Sequence, residues 1–322
     1  MNVLVTGGAG FIGCNLVEAL LNMEAVTKVR VLDNLATGST KNIEPFLKET
    51  RFEFMEGDIR DYYTCLMACE NMDLISHQAA LGSVPRSIND PLTTNDANIT
   101  GTLNIFTAAK EQRIKRVVYA ASSSTYGDHP GLPKREDTIG APLSPYAVTK
   151  YVNELYARVY ASVYGMDLIG LRYFNVFGPR QNPQGPYAAV IPLFIKAILN
   201  NEPPVINGDG SHSRDFTFVA NAVEANVRAL FTKNKDAVNQ VYNIAFGVQT
   251  SLNDVFEILK SIAGSDLAPK YGPERKGDVK HSLADISKAT TLLNYQPAVS
   301  VKAGLEKTFE WYRRFHNFSY SV

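Results

Sequence analysis

The sequence has little of what marks secreted, membrane or nucleic-acid-binding chains. Its 322 residues include three cysteines, Cys14, Cys65 and Cys69, too few for a disulfide framework. Cys65 and Cys69 lie four apart in apolar surroundings, which is the spacing of one helix face and predicts core packing. The five histidines are scattered, so no metal is expected. No apolar run is long enough to span a bilayer. Lys+Arg and Asp+Glu number 32 each, so the chain lacks the surplus cation that recruits nucleic acid or an anionic membrane. There is no repeat, low-complexity tract or long linker. The opening Met1-Asn-Val-Leu-Val-Thr-Gly7 reads as a strand rather than a signal peptide, and a cytoplasmic location is expected.

What is present is an ordinary globular composition, 45% hydrophobic and 20% charged, in a chain longer than one compact core usually holds. The strand Val3–Thr6 runs into Gly7-Gly-Ala-Gly10-Phe-Ile-Gly13, and Leu16, Leu20 and Met23 then mark a helix. Positions without side chains let the backbone turn tightly and approach a pyrophosphate, and the helix N-terminus offers it free N–H groups. A second strand, Val29–Asp33, ends in a carboxylate 20 residues after Gly13, the placement that suits adenosine ribose hydroxyls. No basic residue follows in Asn34-Leu-Ala-Thr37-Gly38. A 2′-phosphate would face Asp33 alone, so NAD is expected rather than NADP.

Further strands are expected at Phe52–Met55, Leu74–Ser76, Val117–Ala120, Leu168–Asn175 and Val241–Ile244. The helical stretches between them predict an α/β fold, a doubly wound parallel (Rossmann) sheet with helices on both faces. The glycines, Asp33, Asp58, Gln78, Ser122 and Asn175 all fall at strand ends, where such sheets bind ligands. Asp58 is expected near the adenine edge, and the small residues of His77-Gln-Ala-Ala80 would let a cofactor lie against backbone. After residue 176 glycine and proline become frequent, which predicts a smaller lobe. The expected division is 1–176 plus about 217–248 for the NAD-binding domain, with 177–216 plus about 249–322 as the smaller lobe over the strand ends. Helices are expected at Asn95–Lys110, Phe218–Phe231, Ser251–Ala263 and Val301–Phe315. One more begins at Ser144-Pro145 as N-cap and N1, and it sets Tyr146 and Lys150 on one face.

These motifs resemble the extended short-chain dehydrogenase/reductase family over nearly the whole chain. More narrowly, the chain is similar to UDP-hexose 4-epimerases, in the branch acting on UDP-N-acetylglucosamine and UDP-N-acetylgalactosamine. The stretches that carry this are Thr6–Gly13, His77–Arg86, Ser122–Asp128, Ser144–Lys150, Leu171–Pro179 and Gly277-Asp278. The resemblance implies a retained NAD and a 4-keto sugar that re-forms on either face. It implies Tyr146 as acid/base, Lys150 as its tuner and a ribose ligand, and Ser122, helped by Ser123, as partner of the sugar O4. The implied cofactor set also contains Gly7, Gly10, Phe11, Ile12, Gly13, Asp33, Asn34, Thr37, Gly38, Asp58, Ile59, Gln78, Ala79, Ala80, Asn98, Tyr173 and Val176. The implied substrate set adds Gly82, Ser83, Asn175, Val190, Arg214, Arg275, Asp278 and Ser282.

Bringing a phenol from about 10 to near 7 needs about 4 kcal/mol of phenolate stabilisation. One ammonium about 4 Å away supplies about that at an effective dielectric of ~20, and a positive nicotinamide adds to it. Ser282 falls where relatives restricted to non-acetylated sugars carry a tyrosine, and a serine leaves room for an N-acetyl group. A 4,6-dehydratase would carry an Asp-Glu pair where Ser123-Ser124 stands. A UDP-glucuronate epimerase shares most of these residues and is an alternative; a non-catalytic NAD-binding module is the alternative of another class. No nucleic acid or membrane partner is expected. A homodimer through the helices near Asn95–Lys110 and Pro145–Tyr164 is.

Overall fold

The computed structural model describes residues 1–184, 188–274 and 280–315. Seven parallel strands form the central sheet. In chain order they are β1 (Asn2–Thr6), β2 (Lys28–Asp33), β3 (Phe52–Glu56), β4 (Leu74–His77), β5 (Arg116–Ser122), β6 (Asp167–Tyr173) and a last strand, Gln240–Ile244. Across the sheet the last strand lies outside β6, followed by β5, β4, β1, β2 and β3. The order therefore reverses between β1 and β4, which opens a crevice at their carboxyl ends.

Alternation decides which face each side chain joins. Val3 and Val5 enter one buried cluster with Leu16, Leu20 and Ala222, while Leu4 enters another with Ile75, Ile105 and Phe106. Both faces are covered, so the strands are apolar at nearly every position. Cys65 and Cys69 are buried in the second cluster, as their spacing predicts.

The helix starts follow local chemistry. Ser144 caps Pro145–Tyr164 by accepting a hydrogen bond from the Ala147 N–H, and Gly165 closes it in the left-handed region. Ser251 and Asp254 form a capping box on Leu252–Ala263. The helix expected at Asn95–Lys110 is longer and less regular. Pro91–Asn95 and Gly101–Glu111 flank a π-helical turn at Asp96–Thr100. Strand β6 stops at Tyr173, two residues short of the expected end, and Asn175 then takes a positive φ of 35°.

Beyond the sheet, short strands pair as Val205–Asn207 with Lys270–Gly272 and as Ser213–Asp215 with Gln249–Ser251. Helices Val190–Leu199, Leu252–Ala263 and Val301–Phe315 pack with them. Their Phe194, Phe256 and Leu305 belong to the same buried cluster as Val3 and Val5, so this region shares its core with one face of the sheet. Among the described residues no helix is long and apolar enough to cross a membrane.

Candidate active site

The glycine turn is built by close approach. Gly7 has φ +69°, and a Cβ there would lie 2.6 Å from the Ala79 backbone N. A Cβ on Gly13 would lie 2.1 Å from the Gly7 carbonyl oxygen, backbone against backbone. At Gly10 the nearest atom to a Cβ is 3.2 Å away, and it is that same Gly7 oxygen. No side chain caps the helix Phe11–Leu21, so its first N–H groups, at Phe11, Ile12 and Gly13, are available to an anion. Gly13→Ala is expected to cost about 1–3 kcal/mol by overpacking and to strip the cofactor. Bound NAD per chain after purification and a thermal melt would read this; an alanine variant with normal NAD content and melting temperature would refute it.

Asp33 is buried at the end of β2. One carboxylate oxygen accepts from Ala9 N (2.9 Å) and the other from Leu35 N (2.8 Å). Burial pushes its pKa up, and these two N–H groups oppose the shift. Each oxygen retains acceptor capacity for a ribose hydroxyl. Gly38 packs on Ala9, while Asn34 and Thr37 are exposed. Asp58 is held by Arg60 at 2.7 Å and by the Asn34 amide at 2.8 Å. The hydrogen bond from Arg60 is the main reason its pKa falls to about 2. The neighbouring Ile59 side chain is buried. The glycine cradle, the uncapped helix and the buried acceptor fit a dinucleotide.

At the end of β4 the Gln78 amide bonds Ser76, Asn226 and the Tyr173 hydroxyl, and Ala79 N donates to Thr6 Oγ1. This side-chain network sets the floor on which Ala79 and Ala80 lie. Asn98 departs from expectation. It is fully buried, accepts from Leu81 N at 2.8 Å, and donates to Leu81 O and Thr149 Oγ1. With its amide engaged inside the protein, it positions the 78–82 loop against the helix of Tyr146 rather than presenting a free group to a cofactor.

Tyr146 and Lys150 share one helix face beside the end of β5. Ser122 Oγ accepts from both the backbone N (3.2 Å) and the hydroxyl (2.8 Å) of Ser124. Those bonds fill its two lone-pair sites, so its single proton is left for the Tyr146 oxygen, with which it is hydrogen-bonded. Ser124 is thus a hydrogen-bond partner of Ser122, a role the sequence did not assign to it. The spacing gave no signal, because the 3₁₀ turn Ser123–Tyr126 folds Ser124 back over Ser122.

Burial acts on both Tyr146 and Lys150. Burial pushes the Tyr146 phenol up, and the Ser122 bond only partly offsets it. The Lys150 ammonium is 5.9 Å from the ring centroid and donates to Ala120 O at 2.8 Å. Burial lowers its own pKa to about 8.

Asn175, Val176, Val190 and Arg214 converge on a cavity of about 620 Å³ between the sheet and the smaller region. Val190 begins a helix whose N-terminus no side chain caps. Arg214 donates to the carbonyls of Ser213 and Lys280. Ser282 is part-buried, and its N–H donates to Ser213 O at 3.1 Å, next to Arg214. Gly82 is open, and Ser83 caps the short helix Val84–Asn89. Arg275 and Asp278 lie outside the described residues.

A part-buried phenol and a buried ammonium at the mouth of a dinucleotide crevice mark a nicotinamide-dependent enzyme of the doubly wound fold. The chain belongs to the NAD-dependent epimerase/dehydratase family, whose model matches residues 3–245, and NAD is its cofactor. It is 38% identical to a putative UDP-glucose 4-epimerase of Methanocaldococcus jannaschii, over 96% of this chain and 97% of that one. Its structure is similar to the UDP-N-acetylglucosamine 4-epimerase of Methanobrevibacter ruminantium M1 in complex with UDP-N-acetylmuramic acid, with TM-score 0.92, 41% identity, and 97% and 98% coverage. It is also similar to the UDP-glucuronic acid 4-epimerase of Bacillus cereus in complex with UDP-glucuronic acid and NAD, with TM-score 0.90, 35% identity, and 98% and 100% coverage. The resemblance to UDP-hexose epimerases holds, across relatives that differ in the sugar they name.

Proposed function

We propose that the protein interconverts UDP-N-acetylglucosamine and UDP-N-acetylgalactosamine at C4 through a transient 4-keto sugar, and also accepts UDP-glucose and UDP-galactose. The observation that carries this reading is the hydrogen-bond chain from Ser124 through Ser122 to Tyr146, ending one helical turn from a buried lysine. Bound NAD supplies the hydride acceptor and donor for the sugar C4. Tyr146 Oη takes the proton of the 4-hydroxyl and returns it. The Ser122 hydroxyl, with its lone pairs occupied, donates toward the phenolate or the sugar O4. Lys150 anchors the helix to β5 through Ala120 O and adds positive charge on the same side.

The substrate's nucleotide end is assigned to the cavity beside Arg214. Arginine's planar fork suits a diphosphate, and the uncapped helix start at Val190 and the Asn175 amide add donors. The test is incubation of the purified protein with UDP-N-acetylglucosamine and no added NAD, followed by NMR. Appearance of the C4 epimer supports the reading, and an unchanged sugar overturns it.

Sugar choice is assigned to Ser282, set beside Arg214 by its bond to Ser213. Ser282→Tyr is expected to lower kcat/KM for UDP-N-acetyl sugars roughly tenfold or more, with UDP-glucose changed by less than about twofold. Equal loss on both substrates would remove the gate.

A homodimer is also proposed. Leu155, Val159 and Val163 follow one another at four-residue spacing along Pro145–Tyr164 and are 41%, 50% and 64% exposed, with Leu92 on a nearby helix at 82%. An apolar stripe of this kind on a helix fits a second copy of the chain.

A further inference from the structure

The sheet reverses its order between β1 and β4, and one buried ring sits across that join. Thr6 ends β1, His77 ends β4, and the two are paired in register. His77 Nδ1 is 2.7 Å from Thr6 Oγ1, and His77 Nε2 is 3.0 Å from Thr102 Oγ1 on the helix Gly101–Glu111. His77 is 3% exposed, and Thr6 and Thr102 are buried with it. None of the three was assigned a role from the sequence.

The direction of each bond follows from where the protons can go. Thr102 Oγ1 donates its single proton to Asn98 O at 2.6 Å, because a carbonyl can only accept. Toward His77 it must therefore accept, which puts a proton on Nε2. Burial and the Lys150 charge both push the His77 pKa down, to about 3, so the ring is neutral and its Nδ1 is an acceptor. Thr6 Oγ1 then donates to Nδ1 and keeps a lone pair for the Ala79 N–H at 3.3 Å. A histidine supplies this donor and this acceptor at opposite ends of one uncharged ring, beside an ammonium that would repel a second cation.

Both arms end on the stretch that floors the crevice. Ala79 N lies so close to Gly7 that a Cβ there would be 2.6 Å from it, so a shift of Ala79 disturbs the glycine turn. Asn98, at the end of the other arm, holds Leu81 N at 2.8 Å and Leu81 O at 3.2 Å. We propose that His77 is a positioning residue for the dinucleotide: through Thr6 it holds Ala79, through Thr102 it holds Asn98 and Leu81, and so one ring fixes the 79–81 floor against the glycine turn.

The test is release of NAD from the holoenzyme with no sugar present, so the result does not depend on which reaction the enzyme performs. Thr6→Val and Thr102→Val keep the shape of the side chain and remove its hydroxyl. Each is expected to speed NAD release roughly fivefold or more, the worth of about one buried hydrogen bond. Either change leaves a ring nitrogen unpaired and lets the ring turn off its other anchor. The double variant is therefore expected to release NAD no more than about twofold faster than the faster single one. Thr6→Ser and Thr102→Ser restore the hydroxyl and are expected to stay within about twofold of the wild-type rate. A melting temperature is recorded for each variant. A valine variant that melts lower yet releases NAD at the wild-type rate would make the ring a part of the core alone and overturn the proposal. Single effects that multiply in the double variant would overturn it too, since the two arms would then act separately. A second measurement needs no valine variant: NMR of the wild-type holoenzyme carrying isotope-labelled histidine, with His77 assigned by its shift in Thr102→Ser. The neutral Nε2–H form is expected, and a doubly protonated ring or an Nδ1–H tautomer overturns the chain of bonds.

Discussion

Tyr146→Phe is expected to lower turnover by about 10²–10⁴-fold and to leave NAD bound. The phenylalanine ring fills the same part-buried space, so the helix and the crevice persist. What disappears is the phenol oxygen hydrogen-bonded to Ser122. The parts that fit the dinucleotide are elsewhere, in the glycine turn and at Asp33. The measurement pairs the epimerisation rate by NMR with the cofactor content of the purified variant. Ordinary turnover in the phenylalanine protein would take Tyr146 out of the chemistry. Low turnover accompanied by lost NAD would instead assign it to cofactor retention.

The largest effect on stability is expected one turn beyond Lys150. Glu154 and Arg172 are 0% and 1% exposed and meet through two bonds of 2.9 and 2.7 Å. The guanidinium also lies 4.8 Å from the Tyr126 ring. Removing one member leaves a buried, uncompensated charge, so Glu154→Leu is expected to cost about 3–5 kcal/mol in chemical denaturation. Replacing both, Glu154→Leu with Arg172→Met, is expected to restore much of that loss, since neither charge remains to be desolvated. A double variant as unstable as the single one would mean that the pair contributes something other than charge balance. Because Arg172 belongs to β6 and Glu154 to the helix of Tyr146, the single variant is also expected to loosen the catalytic face.

Much of the scaffold could be read from the sequence because it depends on neighbours in the chain. Ser144-Pro145 starts a helix whatever lies across from it, and the Gly7–Gly13 turn carries its own steric logic. Strand ends carrying Asp33 and Ser122 were visible for the same reason. What the sequence concealed depends on partners that folding brings together. Asn98 meets Thr149 across 51 residues, and Tyr126 meets Asn243 across 117. An asparagine near a helix start gives no sign that its amide will be consumed by a loop 17 residues away. The π-helical turn that carries it has no compositional mark. The cost of burying the Tyr146 phenol and the Lys150 ammonium could not be read from the sequence, because it depends on what packs around them.

The bond between Ser282 N–H and Ser213 O joins the residue assigned to the sugar with the strand that bears Arg214. Because this bond is made by backbone atoms, a new side chain at 282 can leave it in place. A proline there would remove the donor, and with it the tie between the 280–284 segment and the strand Ser213–Asp215.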